Sequence, residues 1–255
     1  MHLNASEASL LVHHLQEKID IHRDIEVVLA PSFLTLQPLS LQIDRRKFRL
    51  AAQNAYFQDE GPFTGEVSFT MLRDLVHYVI VGHSERRHVF HEDLDMIRDK
   101  TAAAFRNGTT PILCIGETKP ERDEGETKQV LHDMLMTALS NLTAAEVAGM
   151  VIAYEPVWAI SDGSNFKEHL IAKPDQVAKA VEYIRNYVKD VFNEQASKEL
   201  RVLYGGSTVP DVVSGFLDVP GVDGFLVGGA SLNYHLFAEI VDNARRWQRR
   251  QGGEV

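Results

Sequence analysis

The chain has 255 residues, enough for one large α/β domain or two small ones. With 44% hydrophobic and 24% charged residues it has an ordinary globular composition, which excludes a disordered chain. Its 36 acidic against 26 basic residues give a net charge of −10, which argues against a general binder of nucleic acid or anionic membrane. A small anionic substrate stays open, because a few backbone N–H groups can hold a phosphate on an acidic protein.

Cys114 is the sole cysteine, so no intramolecular disulfide can form, as suits a reducing compartment. No apolar stretch approaches the ~20 residues that span a bilayer. The segment from Met1 to Glu7 has no basic n-region and no small-residue cleavage site. The Asn-x-Ser/Thr matches at Asn4, Asn107 and Asn141 are then incidental, and a cytoplasmic protein is the expectation.

In chain order, the first element is a helix. Asn4 is placed to cap it, Glu7 completes a capping box, and Leu11, Leu15 and Ile19 form one apolar stripe. Seven short apolar runs come next, at Ile25–Ala30, Phe48–Ala52, Tyr78–Val81, Ile112–Ile115, Val151–Tyr154, Val202–Tyr204 and Phe225–Val227. They are rich in Val, Ile and Leu and mostly lack alternation, as parallel strands covered on both faces do. Amphipathic stretches such as Asp95–Asn107, Lys128–Asn141 and Asp175–Phe192 lie between them. This alternation predicts a parallel α/β fold in one domain spanning 1–255, either a barrel or a doubly wound sheet. Seven strands do not choose between the two.

The residues at the strand ends carry more. In parallel α/β folds, functional groups collect where the strands run out at their C-terminal ends. Tyr78–Val81 runs into Gly82-His83-Ser84-Glu85-Arg86-Arg87, and Val151–Tyr154 into Glu155-Pro156-Val157-Trp158-Ala159-Ile160. Val202–Tyr204 runs into Gly205-Gly206-Ser207, and Phe225–Val227 into Gly228-Gly229-Ala230. An imidazole, a carboxylate and two Gly-rich turns therefore point to one mouth. That set suits proton transfer on a phosphorylated small molecule. Taken singly, each feature has a plainer explanation as a hydrogen-bonded residue or a turn.

Together these segments closely resemble those of the triosephosphate isomerase family. So do Ala52-Gln53-Asn54, Phe63-Thr64-Gly65-Glu66, Cys114-Ile115-Gly116-Glu117 and Asp223–Leu232, in the family's order and across essentially the whole chain. The resemblance implies a (β/α)8 barrel and an isomerase of triose phosphates that uses no metal and no organic cofactor. It implies Glu155 as the base and His83 as a neutral electrophile, the arrangement used as a standard example of pKa tuning. It further implies a lid from Pro156 onward and backbone N–H groups of Ser161, Ser207, Gly228 and Gly229 on the phosphate.

Two departures qualify the resemblance. Family members open with a strand ending in Asn-x-Lys, and Met1-His2-Leu3 corresponds to the residues just after that lysine. The barrel is therefore expected to be incomplete, with strand 1 absent and two open sheet edges. Loss of that lysine is expected to reduce activity, which keeps a non-catalytic, phosphate-binding or partner-binding relic as the alternative. The lid reads Ile160-Ser161-Asp162-Gly163-Ser164 with an insertion, Asn165–Ile171, before Lys173-Pro174. The loop Gln53–Val67, with Thr64 near its tip, resembles the family's dimerisation loop; a weakened homodimer or a monomer is expected. His88 and His91 are not read as a metal site. His13 and His14 are read as a solvated helix edge, and Arg245, Arg246, Arg249 and Arg250 as a basic helix end that suits the helix dipole.

Overall fold

The computed structural model describes residues 1–160 and 171–252. Its seven strands form one parallel sheet in chain order: β1 (Val28–Leu29), β2 (Arg49–Ala52), β3 (Tyr78–Val81), β4 (Thr110–Ile115), β5 (Val151–Tyr154), β6 (Arg201–Tyr204) and β7 (Gly224–Phe225). Helices intervene, and each strand lies beside its neighbours in sequence. That is the order of a (β/α) barrel and not of a doubly wound sheet, where the order reverses. Among the described residues no strand lies between β7 and β1.

Register explains the two-sided burial. Ile80 pairs with Ile112, which pairs with Val151; one layer higher, Cys114 pairs with Ala153, which pairs with Leu203. These residues pack together with Ala30 and Leu226, so side chains from β3 to β6 and from the residues just after β1 and β7 meet on the inner face. The alternate residues Val79, Val81, Leu113, Ile115 and Ile152 face outward into the larger cluster under the helices. A strand that fills a barrel on one side and a helix layer on the other needs apolar residues at every position.

The sheet curls. Glu26, just before β1, receives bonds from Arg49 Nε (2.8 Å) at the start of β2 and from Tyr78 Oη (2.9 Å) at the start of β3. Its other oxygen lies 3.5 Å from Arg201 Nη1 at the start of β6. Only a curved sheet brings the starts of β1, β3 and β6 to one carboxylate.

The first helix, Ala5–Lys18, carries the expected capping box, with Glu7 N–H donating to Asn4 Oδ1 (3.0 Å) and Asn4 N–H to Glu7 Oε2 (2.9 Å). Leu15 and Ile19 pack with Val27, Phe48, Phe237 and Val241, joining this helix to the last one, Tyr234–Gln251. At the foot of that pair, Arg245 and Arg249 reach Asp24 at 3.3 and 3.4 Å. These two arginines, expected only to suit the helix dipole, are thus engaged in ion pairs. His14, expected on a solvated edge, is half-buried and stacks on Tyr234.

Candidate active site

The geometry begins at β3. After Val81 the chain turns at Gly82, and His83 caps the short helix Ser84–His88. Its Nδ1 accepts the N–H of Glu85 at 3.3 Å. With Nδ1 used as an acceptor, the proton of the neutral ring sits on Nε2. Nε2 points at Glu155 Oε1, 3.0 Å away.

Glu155 follows β5 directly and is 1% exposed. Its N–H donates to Ile115 O (2.8 Å), which fixes the backbone, and its Oε2 accepts the N–H of Ser84 (3.1 Å), which fixes the side chain. A buried carboxylate is costly unless hydrogen-bonded, and here both oxygens have donors. Two glycines make room for it. A Cβ on Gly116 would stand 1.8 Å from Glu155 O, and one on Gly205 3.0 Å from its Cγ. The neighbouring loops close around this residue because those positions carry no side chain.

The electrostatics come from this packing. Burial disfavours a charged His83, but the hydrogen bond and charge of Glu155 outweigh it, and the imidazole is held above its ordinary value. Burial, with the Glu155 charge behind it, pushes the Cys114 thiol up, so it stays protonated. Arg87 bridges the ends of β3 and β4 through Gly82 O (2.9 Å) and Gly116 O (3.4 Å). Its burial lowers the guanidinium's affinity for a proton, and the Glu155 charge partly restores it.

Glu117, fully buried after β4, organises the start of the segment beyond Pro156. It accepts Trp158 Nε1–H (2.8 Å) and Tyr154 Oη–H (3.1 Å), and Arg122 Nη1 lies 3.5 Å away. Arg122 also stacks over the Trp158 ring at 3.8 Å. Val157 N–H donates to Glu117 O (3.0 Å), so both ends of this residue hold the turn Val157–Ala159. Sequence reasoning placed Glu117 in a motif without a task; a carboxylate two residues after a buried strand was the available signal.

The other expected site residues lie on the same rim. Ser207 follows β6; Gly228 and Gly229 follow β7, the adjacent strand, and open into solvent with nothing within 4 Å of an added Cβ. Ser161, Asp162, Ser164 and most of the expected insertion fall outside the described residues. Among the described residues, no three His, Cys, Asp or Glu side chains are placed to hold a metal ion.

Comparison with known proteins gives the same picture over nearly the full length. A family profile described as triosephosphate isomerase matches residues 1–244. The triosephosphate isomerase of Chloroherpeton thalassium is 41% identical over 237 residues, 92% of each chain. That of Syntrophotalea carbinolica is 41% identical over 242 residues, 94% of each. The Lactiplantibacillus plantarum enzyme of the same name is 39% identical, covering 95% of this chain and 94% of its own. With a barrel-ordered sheet, an imidazole and a carboxylate in contact at its C-terminal mouth, and these matches, the chain belongs to the triosephosphate isomerase family.

Proposed function

We propose that this chain interconverts dihydroxyacetone phosphate and D-glyceraldehyde 3-phosphate through an enediolate. The observation that carries the reading is the 3.0 Å approach of His83 Nε2 to Glu155 Oε1 at the mouth of the sheet. Glu155 takes the proton from the carbon beside the carbonyl and returns it to the neighbouring carbon. His83, with its proton on Nε2, hydrogen-bonds the carbonyl oxygen as charge develops there and moves protons between the two oxygens. Both steps are general acid–base chemistry, worth ~10²–10⁴ in rate for a positioned group. His83 Nε2 and Glu155 Oε1 satisfy each other, so the substrate's reacting carbon and oxygen must come between them.

The phosphate is assigned to the backbone N–H groups of Ser207, Gly228 and Gly229, and to Ser161 outside the described residues. The Glu117–Trp158 anchor fixes where the lid leaves the barrel, and closure excludes water from the enediolate. Nothing in the site favours the non-catalytic alternative. The single, buried Cys114 suits a reducing, cytoplasmic compartment, and the family's reaction a place in glycolysis and gluconeogenesis. Among the described residues, no helix is long and apolar enough to cross a membrane.

Assembly is assigned to the exposed loop 53–67, which is shaped by its own contacts: Tyr56 N–H to Val67 O (2.8 Å) and the Tyr56–Phe63 ring pair at 4.7 Å. Exposed Phe33, Leu34, Val89 and Phe90 supply apolar surface for a second copy. A weakened homodimer or a monomer is the expected state, to be decided by sedimentation at several concentrations.

The activity is tested by a coupled assay with each triose phosphate on the purified chain. Turnover in both directions that is lost in Glu155→Gln supports the reading; no turnover in either direction rejects it.

A further inference from the structure

The loop after β7 has a support which the chemistry does not use. Leu226 N–H donates to Tyr204 O (2.9 Å), after which the chain passes Gly228, makes one tight turn over Gly229–Leu232 and enters the last helix through Asn233. This path is tied at each step. Ser231 N–H donates to Gly228 O (2.9 Å) and Asn233 N–H to Ala230 O (3.2 Å). Asn233 Oδ1 then accepts the N–H groups of His235 (2.9 Å) and Leu236 (3.3 Å). Any shift of the first turn of the last helix is therefore passed to Gly228 and Gly229. On the sheet side, β7 is bonded to β6 alone among the described residues. From outside, the first helix packs against the last helix.

The contact is specific. His14 stacks on Tyr234 with ring centroids 4.7 Å apart and planes 27° apart. Tyr234 is the first residue of the last helix; it also packs against the Leu15–Phe237 cluster and meets the His235 ring at 4.1 Å. Glu17 steadies the imidazoles, with Oε2 3.4 Å from His14 Nδ1 and Oε1 3.4 Å from His13 Nε2. The buried stripe of the first helix is Ala8, Val12 and Leu15, so packing against the barrel does not demand an aromatic ring at position 14.

We propose that His14 is a positioning residue for phosphate binding: its ring, stacked on Tyr234, sets the first turn of the last helix and, through it, the Gly228 and Gly229 amides. The inference rests on the reading of that turn as part of the phosphate cradle. Phosphate is held alike in substrate and transition state, so disturbing the cradle raises KM and leaves kcat nearly unchanged.

The test uses the full chain with His14→Ala, His14→Phe, Tyr234→Ala and the double alanine variant. It measures kcat and KM for glyceraldehyde 3-phosphate and Kd for inorganic phosphate. His14→Ala and Tyr234→Ala are each expected to raise KM and phosphate Kd about 3- to 10-fold, the size of one aromatic pair. The double variant should be no weaker than the worse single one, and His14→Phe should restore the parent values. A folded His14→Ala that binds phosphate like the parent overturns the proposal, as does a His14→Phe no better than alanine or a fully additive double variant. Should His14→Ala not fold, His14→Leu decides: parent-like values there show that stacking is not needed and overturn it. If the parent binds phosphate without turning over, the isomerase reading fails, while the phosphate Kd of the variants still decides this one.

Discussion

His83 and Glu155 stand at the ends of different strands, yet Nε2 of one lies 3.0 Å from Oε1 of the other. Each is also held by a backbone N–H at the start of one short helix, His83 by Glu85 and Glu155 by Ser84. That helix start thus orients the electrophile and the base together.

Glu155→Gln keeps an oxygen for Ser84 N–H and removes the base. We expect kcat to fall ~10²–10⁴-fold, with KM within about threefold of the parent, since the loss lies in the proton-transfer step. Steady-state kinetics on a variant shown to be folded check this.

The raised pKa of His83 gives two pH effects. The reactive ring is the neutral one with Nδ1 accepting from Glu85, so kcat/KM should fall on the acid side with an apparent pKa above the ordinary ~6.5. For stability the sign is that of a group raised on folding: its contribution is full below the unfolded pKa and is lost as pH rises through the folded one. The stability difference between the parent and His83→Gln should therefore shrink from about pH 5 to pH 8, as read by urea unfolding.

Gly116→Ala places a methyl 1.8 Å from Glu155 O, so the backbone of the base must move. A displacement of about 1 Å can cost ~10² in rate. The expected result is a folded, less stable protein with a comparable drop in kcat; parent-like kinetics would show that the loop relaxes elsewhere.

Trp158→Phe removes the 2.8 Å donor to buried Glu117 and keeps the ring beneath Arg122. A buried carboxylate short of one donor costs about 1–3 kcal/mol, to be read as a lower denaturation midpoint. Because this contact anchors the lid's first turn, KM should rise as well.

The strands with two neighbours were legible at nearly full length. β3 and β5 agree with the apolar runs at both ends; His77 and Gly82 bracket the first, and Glu155 ends the second. The run Ile25–Ala30 shrinks to Val28–Leu29, and Phe225–Val227 gives way to Gly224–Phe225, which begins one residue earlier. These strands have a ladder on one side only, and hydrophobicity reports burial, not hydrogen bonding. Short helices such as Lys119–Asp123 and Ala144–Gly149 span too few residues to show a period, although their capping boxes at Thr118 and Thr143 are in the sequence. His83 and Glu155 could be named from their places at strand ends. The bonds that Glu117 receives from Trp158 and Tyr154 could not, because they join residues brought together only when β4 and β5 pair.

The transfer of hydrogen can be watched as it happens. Dihydroxyacetone phosphate is incubated with the protein in deuterium oxide, and deuterium at the carbon beside the carbonyl is followed by proton NMR. Glu155 acting as the base predicts solvent deuterium entering that carbon as isomer forms, with both processes lost in Glu155→Gln. Exchange at the parent rate in that variant would contradict the assignment of Glu155, and with it the mechanism.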